Sequence, residues 1–290
     1  MQRPFSRRVL RWRLARIPHV QSSPTAFTDA DFTKLRNSGI DIFHPAVAFE
    51  QGSGYDVTRA WFAKWNRFIE WHPDYFVRVN GPNDLALARQ QGLQKRIGII
   101  LGMQDAIICA AWRLQSQPRQ EIHSLRSRCD RAHELSRHGD RRPHCGQRTS
   151  IDVISASKKP VLITHSNCRA LAPGVARCKP DEVIRAAART GGVLGITAVR
   201  QFVRNAGNAI IDDVLNHFDH AAKLAGVEHV GLGSDFDLDA HPSYDIPGLN
   251  NPDRIYQLTD GLLRRGYTDA QVSMMLGGNF ELALRRIWLY

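Results

Sequence analysis

The sequence lacks any run of about 18 consecutive apolar residues, the length from which a transmembrane helix is expected. The longest apolar stretch, residues 97–112, is interrupted by Gln104 and Asp105. We therefore predict no transmembrane segment. With 290 residues, of which 43% are hydrophobic, the chain is long enough to bury one large core.

Paired cysteine motifs are also missing. The chain has five cysteines, an odd number, and none of them belongs to a Cys-x-x-Cys pair. A disulfide framework uses an even set of cysteines, so this pattern indicates that no such framework is present. Reduced cysteines are typical of the cytoplasm, which is the predicted location.

Acidic residues are scarce in two segments, and these segments account for the whole net charge of +11. Residues 1–17 hold six arginines and no acid, and residues 113–148 hold nine arginines and four acids. A domain built to bind nucleic acid more often spreads its positive charge over one folded face. We therefore expect no nucleic-acid partner. The alternative is a protein that binds nucleic acid or another anionic surface through these two segments.

The arginine-rich start allows several interpretations. We predict that residues 1–27 form a basic tail without fixed structure. An amphipathic leader is one alternative. An export signal is another, because Ser6-Arg7-Arg8 is similar to a twin-arginine motif. The apolar stretch that such a signal needs does not follow these arginines.

From residue 28 onward, helical and strand-like patterns alternate along the chain. Short apolar runs predict strands, and apolar residues at helical spacing predict helices. The predicted strands are 40–44, 75–79, 97–101, 161–165, 193–197 and 229–233, and the predicted helices are 28–36, 57–71, 83–91, 147–157, 181–190, 212–225, 252–265, 269–276 and 279–288.

This alternation predicts βαβ units and therefore an α/β fold with a parallel sheet. The number of units and the lack of a glycine-rich dinucleotide turn favour a (β/α)8 TIM-like barrel. A doubly wound open sheet is the alternative. We expect one barrel domain over residues 28–290. Residues 113–142 show no sustained period and predict an irregular basic loop or disordered insert, which could leave the barrel incomplete.

Several predicted strands end on or next to a polar residue. His44 and His165 close two of them, Gln104 lies just past another, and Ser234-Asp235 follows the last. The carboxyl ends of parallel barrel strands meet on one face, so histidine there suits a metal ion and a carboxylate suits proton transfer. Taken singly, such a histidine is more often an ordinary hydrogen-bonded residue. The pattern therefore predicts a barrel that could hold a metal site, without a specific reaction.

Three stretches carry a resemblance to a known family. Residues 144–171 contain HCGQRT and SKKPVLITHSNCRAL, residues 226–237 read GVEHVGLGSDFD, and residues 276–280 read LGGNF. In this order they resemble the membrane (renal) dipeptidase family of zinc metallopeptidases, in its bacterial form. The resemblance covers most of residues 144–290 and is more specific than a single short motif.

The resemblance implies a barrel that binds two zinc ions and cleaves small dipeptide-like substrates. By residue-by-residue comparison, His144 and His165 match two metal-binding histidines. Asp235 matches the acid that handles the proton at the scissile nitrogen. Arg177 matches the arginine that holds the substrate carboxylate. The resemblance also allows a homodimer.

The sequence departs from the family pattern in its first half. Gln104 stands where the family has a metal-bridging glutamate, and a neutral amide is a poorer bridge between two cations. The family's N-terminal His-x-Asp pair has no match, since His19-Val20-Gln21 lacks the carboxylate. The composition of residues 113–142 is foreign to the family, which suggests a shifted reading frame as a hypothesis. These departures leave a second interpretation open, a catalytically impaired pseudoenzyme of the same fold.

Overall fold

The structure, a computed structural model, describes residues 27–47, 55–88, 96–103, 146–235, 246–249 and 255–288. The basic tail and the irregular segment predicted at 113–142 lie outside these residues, apart from Phe27. Within the described ranges, no helix has the length and apolarity that crossing a membrane requires.

The first half of the described chain alternates helices with short strands. Its elements are α1 Asp29–Asn37, β1 Ile42–Phe43, β2 Ala46–Val47, α2 Tyr55–Trp71, β3 Phe76–Arg78, α3 Pro82–Ala88, β4 Ile97–Ile99 and β5 Gly102–Met103.

The second half continues the alternation with longer elements. They are α4 Gln147–Ala156, β6 Leu162–Ser166, α5 Asp181–Arg189, β7 Val193–Ile196, α6 Arg200–Val203, α7 Ile211–Ala225, β8 Val230–Leu232, α8 Tyr256–Arg264, α9 Asp269–Ser273 and α10 Asn279–Trp288.

Helix α1 begins where the sequence predicts, because its first turn is capped. The Thr28 side chain accepts a hydrogen bond from the Asp31 N–H, and the Asp31 carboxylate accepts from the Thr28 N–H at 2.8 Å. This reciprocal pair satisfies two backbone donors that the first turn of a helix leaves unpaired.

All strand pairs of the described residues are parallel. β6, β7 and β8 lie side by side in chain order. In the first half β4 lies between β1 and β3. The strands β2 and β5 form a separate two-stranded pair. Parallel strands joined through helices confirm the predicted α/β class, although the strands of the described ranges do not close into a barrel.

Some predicted boundaries are wrong by a few residues. The strand predicted at 40–44 has only Ile42–Phe43 in strand conformation, and the strand predicted at 229–233 is preceded by a 3-10 turn over Val227–His229. The short helix α6 has no clear apolar period and was not predicted. A π-helical turn at Met274–Gly278, with a non-helical Gly277, separates the last two predicted helices.

Phe280 of α10 joins the two halves of the core. It is buried in one hydrophobic cluster with Ile42 of β1, Leu162 of β6 and Val193 of β7. A methyl group added at Gly231 of β8 would come within 2.4 Å of its ring. The missing side chain at Gly231 therefore leaves the room that the Phe280 ring fills.

Replacing this ring should weaken the whole fold. We expect Phe280→Ala to lower the free energy of unfolding by about 3–5 kcal/mol, since it removes a fully buried aromatic ring between both halves. The matched control is Leu282→Ala on the same helix, where the side chain is 46% exposed. Urea unfolding should place that control within about 0.5 kcal/mol of the wild type. Equal losses in both variants would contradict this packing.

Candidate active site

The carboxyl ends of β6 and β8 approach each other unusually closely. A Cβ atom at Gly233, just past β8, would lie 1.8 Å from the Thr164 carbonyl oxygen and 3.0 Å from the His165 Cα. A Cβ atom at Gly195 of β7 would lie 2.2 Å from the same oxygen. Only glycine, which has no Cβ atom, allows backbones to approach this closely. The backbone of His165 therefore lies close to the end of β8, which Asp235 follows.

Asp235 follows β8 in a left-handed backbone conformation, with φ at 58°. It is the single non-glycine residue with positive φ in the part of the chain that the structure describes. Aspartate tolerates this conformation better than most residues, but it is still sparsely populated. Conformations of this kind cluster at functional sites, where surrounding structure holds them in place.

His165 lies near the carboxyl end of β6, half-buried, with its ring held by its neighbour. Its Nδ1 lies 2.9 Å from Thr164 Oγ1. When Nδ1 carries the proton, it donates to that hydroxyl, and the Nε2 lone pair can coordinate a metal ion.

Arg177 lies beside the same strand end, in the loop between β6 and α5. The Ser166 hydroxyl donates to the Arg177 carbonyl oxygen at 2.9 Å. The Arg177 guanidinium carbon lies 5.6 Å from the centroid of the Phe202 ring, and the residue is only 5% exposed. A cation over an aromatic face is attracted to its π electrons, so Phe202 stabilises this position.

The end of β7 links the ends of β6 and β8. The Thr197 N–H bonds the Ser166 carbonyl oxygen at 3.2 Å, and the Thr197 hydroxyl donates to the Ser234 carbonyl oxygen at 3.4 Å. The Ala198 N–H reaches the same Ser234 oxygen at 3.1 Å. The residue before Asp235 is therefore fixed to its neighbouring strand.

Two cysteines near these strand ends are buried, and their thiols are poorly reactive. Burial raises the pKa of the Cys168 thiol, and it raises the pKa of Cys178 to about 11. The Cys168 N–H donates to His217 Nδ1 at 3.2 Å, and His217 Nε2 lies 2.8 Å from the Val203 carbonyl oxygen. A thiol needs its thiolate form to act as a nucleophile, so neither cysteine suits a cysteine hydrolase.

The structure brings three of the predicted site residues to one edge of the β6–β7–β8 sheet: His165, Arg177 and Asp235. His144 and Gln104 lie outside the described residues. Over the ranges that are described, no three histidine, cysteine, aspartate or glutamate side chains are grouped so that they could hold a metal ion. Of the two histidines predicted to bind metal, the described ranges contain His165.

Sequence reasoning missed the residues that support this edge. Asn167 and Thr197 hydrogen-bond to each other across the ends of β6 and β7, and the Phe202 ring lies against Arg177. Asn167 belongs to the HSN stretch that carried the family resemblance, so its motif was a usable signal. Thr197 and Phe202 had no such signal, because their roles depend on the contacts between neighbouring strands.

Comparison with known proteins identifies the second half of the chain. Residues 143–288, about half of the chain, match the model of a family described as membrane dipeptidase (peptidase family M19). An uncharacterized dipeptidase of Schizosaccharomyces pombe is 32% identical over 148 residues, which are 50% of this chain and 34% of that relative. The chain thus spans about a third of the length of the curated relatives that it matches.

Solved structures share the fold over nearly the whole chain. An amidohydrolase from Pseudomonas aeruginosa superposes with a TM-score of 0.73 at 21% identity and covers 97% of both chains. A metallo peptidase from Rhodobacter sphaeroides, liganded with a phosphinate mimic of the dipeptide L-Ala-D-Ala, gives 0.70 at 16% identity over 96% of this chain and 99% of its own. This likeness confirms the predicted barrel type of fold over the doubly wound sheet.

The buried His217 should make the protein less stable in mild acid. Burial lowers the pKa of His217 from its ordinary 6.5, the hydrogen bond to Val203 and the charge of Asp213 oppose this, and His220 adds to it. Below about pH 6.5 the unfolded chain gains a proton that the folded chain does not, so stability falls as pH falls toward the lower folded pKa.

Unfolding by urea between pH 7.5 and pH 5 measures this effect. We expect the free energy of unfolding to fall more steeply in the wild type than in His217→Gln, which keeps a polar side chain but does not titrate. Parallel curves for the two proteins would show that His217 does not contribute.

Proposed function

Because the chain belongs to the membrane dipeptidase family, we propose that it hydrolyses the peptide bond of small dipeptides with the help of bound metal ions. The observation that carries this proposal is the placement of a histidine and a strained aspartate at the carboxyl ends of β6 and β8, on either side of β7. His165 and Asp235 flank the backbone approach at Gly233. A metal ligand and a proton-transfer group at one sheet edge are what metal-assisted amide hydrolysis requires.

Asp235 is the proposed proton carrier. A carboxylate can take the proton of an attacking water and pass it to the departing nitrogen, which otherwise leaves as an unstable anion. Asp235 adopts a left-handed backbone conformation three residues after the end of β8. The Ser234 carbonyl oxygen is held from two sides by the end of β7. These contacts support a fixed position for the carboxylate.

Arg177 is the proposed binding group for the free carboxylate of the substrate. A planar guanidinium can donate two parallel hydrogen bonds to a carboxylate, and such charged bonds strengthen where water is excluded. Arg177 is buried beside Phe202 and adjoins the β6 end that bears His165. An anchor at this strand end favours substrates whose free carboxyl group lies one residue beyond the cleaved bond, as it does in a dipeptide.

The metal ions are proposed to be zinc, two of them, as the family resemblance implies. When bound, such ions activate a water molecule and polarise the scissile carbonyl. His165 fits the chemistry of a zinc ligand, since a neutral imidazole whose Nδ1 carries the proton can coordinate through Nε2. The remaining ligands are proposed outside the described residues, at His144 and, with an altered side chain, at Gln104.

Other aspects of the protein stay predictions. A cytoplasmic location depends on the cysteine pattern, a homodimer depends on the resemblance, and binding to anionic surfaces depends on segments outside the described residues. The comparisons lend no support to the pseudoenzyme interpretation, which expects a bound ligand without turnover.

Metal analysis and turnover test the proposal together. Protein purified under zinc-replete conditions should contain about two zinc ions per chain and hydrolyse a dipeptide such as L-Ala-D-Ala. A chelator should abolish the reaction and added zinc should restore it. A protein that binds no metal under these conditions would contradict the proposal, and metal binding without turnover would favour the pseudoenzyme.

Replacing Asp235 tests its role separately from its backbone. Asparagine adopts the left-handed conformation about as readily as aspartate but cannot carry the proton, so Asp235→Asn should lower kcat by about 100-fold or more while the protein stays folded. The matched control is Asp260→Asn on α8, where the carboxylate pairs with Arg264 on the surface. Steady-state kinetics should leave that control unchanged. An active Asp235→Asn variant would exclude this proton carrier.

A further inference from the structure

Asn167 lies where the ends of β6 and β7 meet the Arg177 loop. It directly follows β6, two residues after His165, and is fully buried. Its Nδ2 donates to the Thr197 carbonyl oxygen at 3.1 Å and to the Phe202 carbonyl oxygen at 2.9 Å. Its Oδ1 accepts from the Thr197 N–H at 3.2 Å. One side chain therefore fixes the end of β7 and the backbone that carries the Phe202 ring.

The backbone of Asn167 holds the Arg177 loop as well. Its carbonyl oxygen accepts from the Lys179 N–H at 2.7 Å, while the preceding Ser166 hydroxyl donates to the Arg177 carbonyl oxygen at 2.9 Å. The Cys178 thiol donates to the same Phe202 oxygen that Asn167 binds, at 3.2 Å. The loop is thus tied from both sides to the strand end and to Phe202.

We propose that Asn167 is a positioning residue that sets the Arg177 guanidinium at a fixed place relative to Asp235. The link to Asp235 runs through Thr197, whose hydroxyl reaches the Ser234 carbonyl oxygen at 3.4 Å. The link to Arg177 runs through Phe202, whose ring lies under the guanidinium. This inference rests on the proposed function, in which Arg177 holds the substrate carboxylate. Asn167 itself touches no substrate in this arrangement.

The chemistry of the contacts selects an amide of this length. The Asn167 Nδ2 donates to two carbonyl oxygens, and the Oδ1 of the same side chain accepts from the Thr197 N–H. Aspartate would present a second acceptor to the two carbonyl oxygens, and serine would supply one hydroxyl for three partners. A buried polar group that loses its partner is costly, so the loop should shift until its groups are satisfied elsewhere.

The first experiment compares Asn167→Ser with a matched control, Asn279→Ser. Asn279 is also buried and also donates through Nδ2 to two carbonyl oxygens, those of Val227 and Val230, both at 2.7 Å. These contacts lie at the amino end of β8, away from the carboxyl ends of the strands. Both variants remove the same kind of hydrogen bond, so general loss of stability is common to both.

Kinetics distinguish positioning from general destabilisation. For a dipeptide, Asn167→Ser should raise KM by about tenfold and change kcat less, since the lost interaction holds the ground state and the transition state alike. For the C-terminal amide of the same dipeptide, which lacks the carboxylate, KM should not change. Asn279→Ser should leave both KM values unchanged at a temperature where it is folded. Equal effects of Asn167→Ser on dipeptide and amide would overturn the proposal.

A double-mutant cycle with Arg177→Met tests the route of the effect. If Asn167 acts through Arg177, then Asn167→Ser should have little further effect on KM once the guanidinium is gone. Additive effects of the two substitutions would show that Asn167 acts independently of Arg177, which would overturn the proposal even if each single variant were impaired.

Hydrogen exchange provides a readout that does not depend on turnover. Asn167→Ser should speed amide exchange at Thr197 and at Lys179, and Asn279→Ser should speed it near Val227 instead. Should the wild type neither cleave a dipeptide nor bind a phosphinate dipeptide mimic, the proposed function fails. Hydrogen exchange then still decides whether Asn167 holds the loop. Unchanged exchange at the Thr197 and Lys179 amides would show that it does not.

Discussion

The site depends on one steric constraint, the near contact between the backbones at the ends of β6 and β8. The Thr164 carbonyl oxygen occupies the space that a side chain at Gly195 or Gly233 would need. Any L side chain at either position would force the strands apart, since the overlap would be with rigid backbone. Because the strands stay close, His165 of β6 and Asp235 after β8 lie at the same edge of the sheet. Backbone packing is sufficient for this placement, and no contact between the two side chains is needed.

Hydrogen bonds then lock the arrangement that the glycines permit. Thr197 bridges the ends of β6 and β8, and Asn167 extends the bridge to the loop of Arg177. A glycine also permits close packing at position 231, where the missing side chain makes room for the Phe280 ring. Glycines on these strands thus have two roles. Gly231 makes room for an aromatic ring, and Gly195 and Gly233 make room for a carbonyl oxygen.

Much of the fold could be predicted from the sequence, because it depends on local patterns. Apolar runs and helical spacing placed every long helix of the described residues, and the predicted start of α1 lies within one residue of the observed one. The strand lengths were harder, since pairing partners decide where a strand ends. The site residues His165 and Asp235 came from motifs, whereas Phe202 and the left-handed backbone at Asp235 depend on packing between distant segments, which no local pattern encodes.

His165, Arg177 and Asp235 are proposed to act on one substrate at one place. A crystal structure of the protein with zinc and a phosphinate dipeptide mimic tests it most directly. We expect His165 Nε2 at roughly 2.0–2.1 Å from a zinc ion. We also expect the Arg177 guanidinium on the carboxylate of the mimic and the Asp235 carboxylate beside its phosphinate group. A mimic bound away from the ends of β6 and β8, or a zinc ion held without His165, would contradict it.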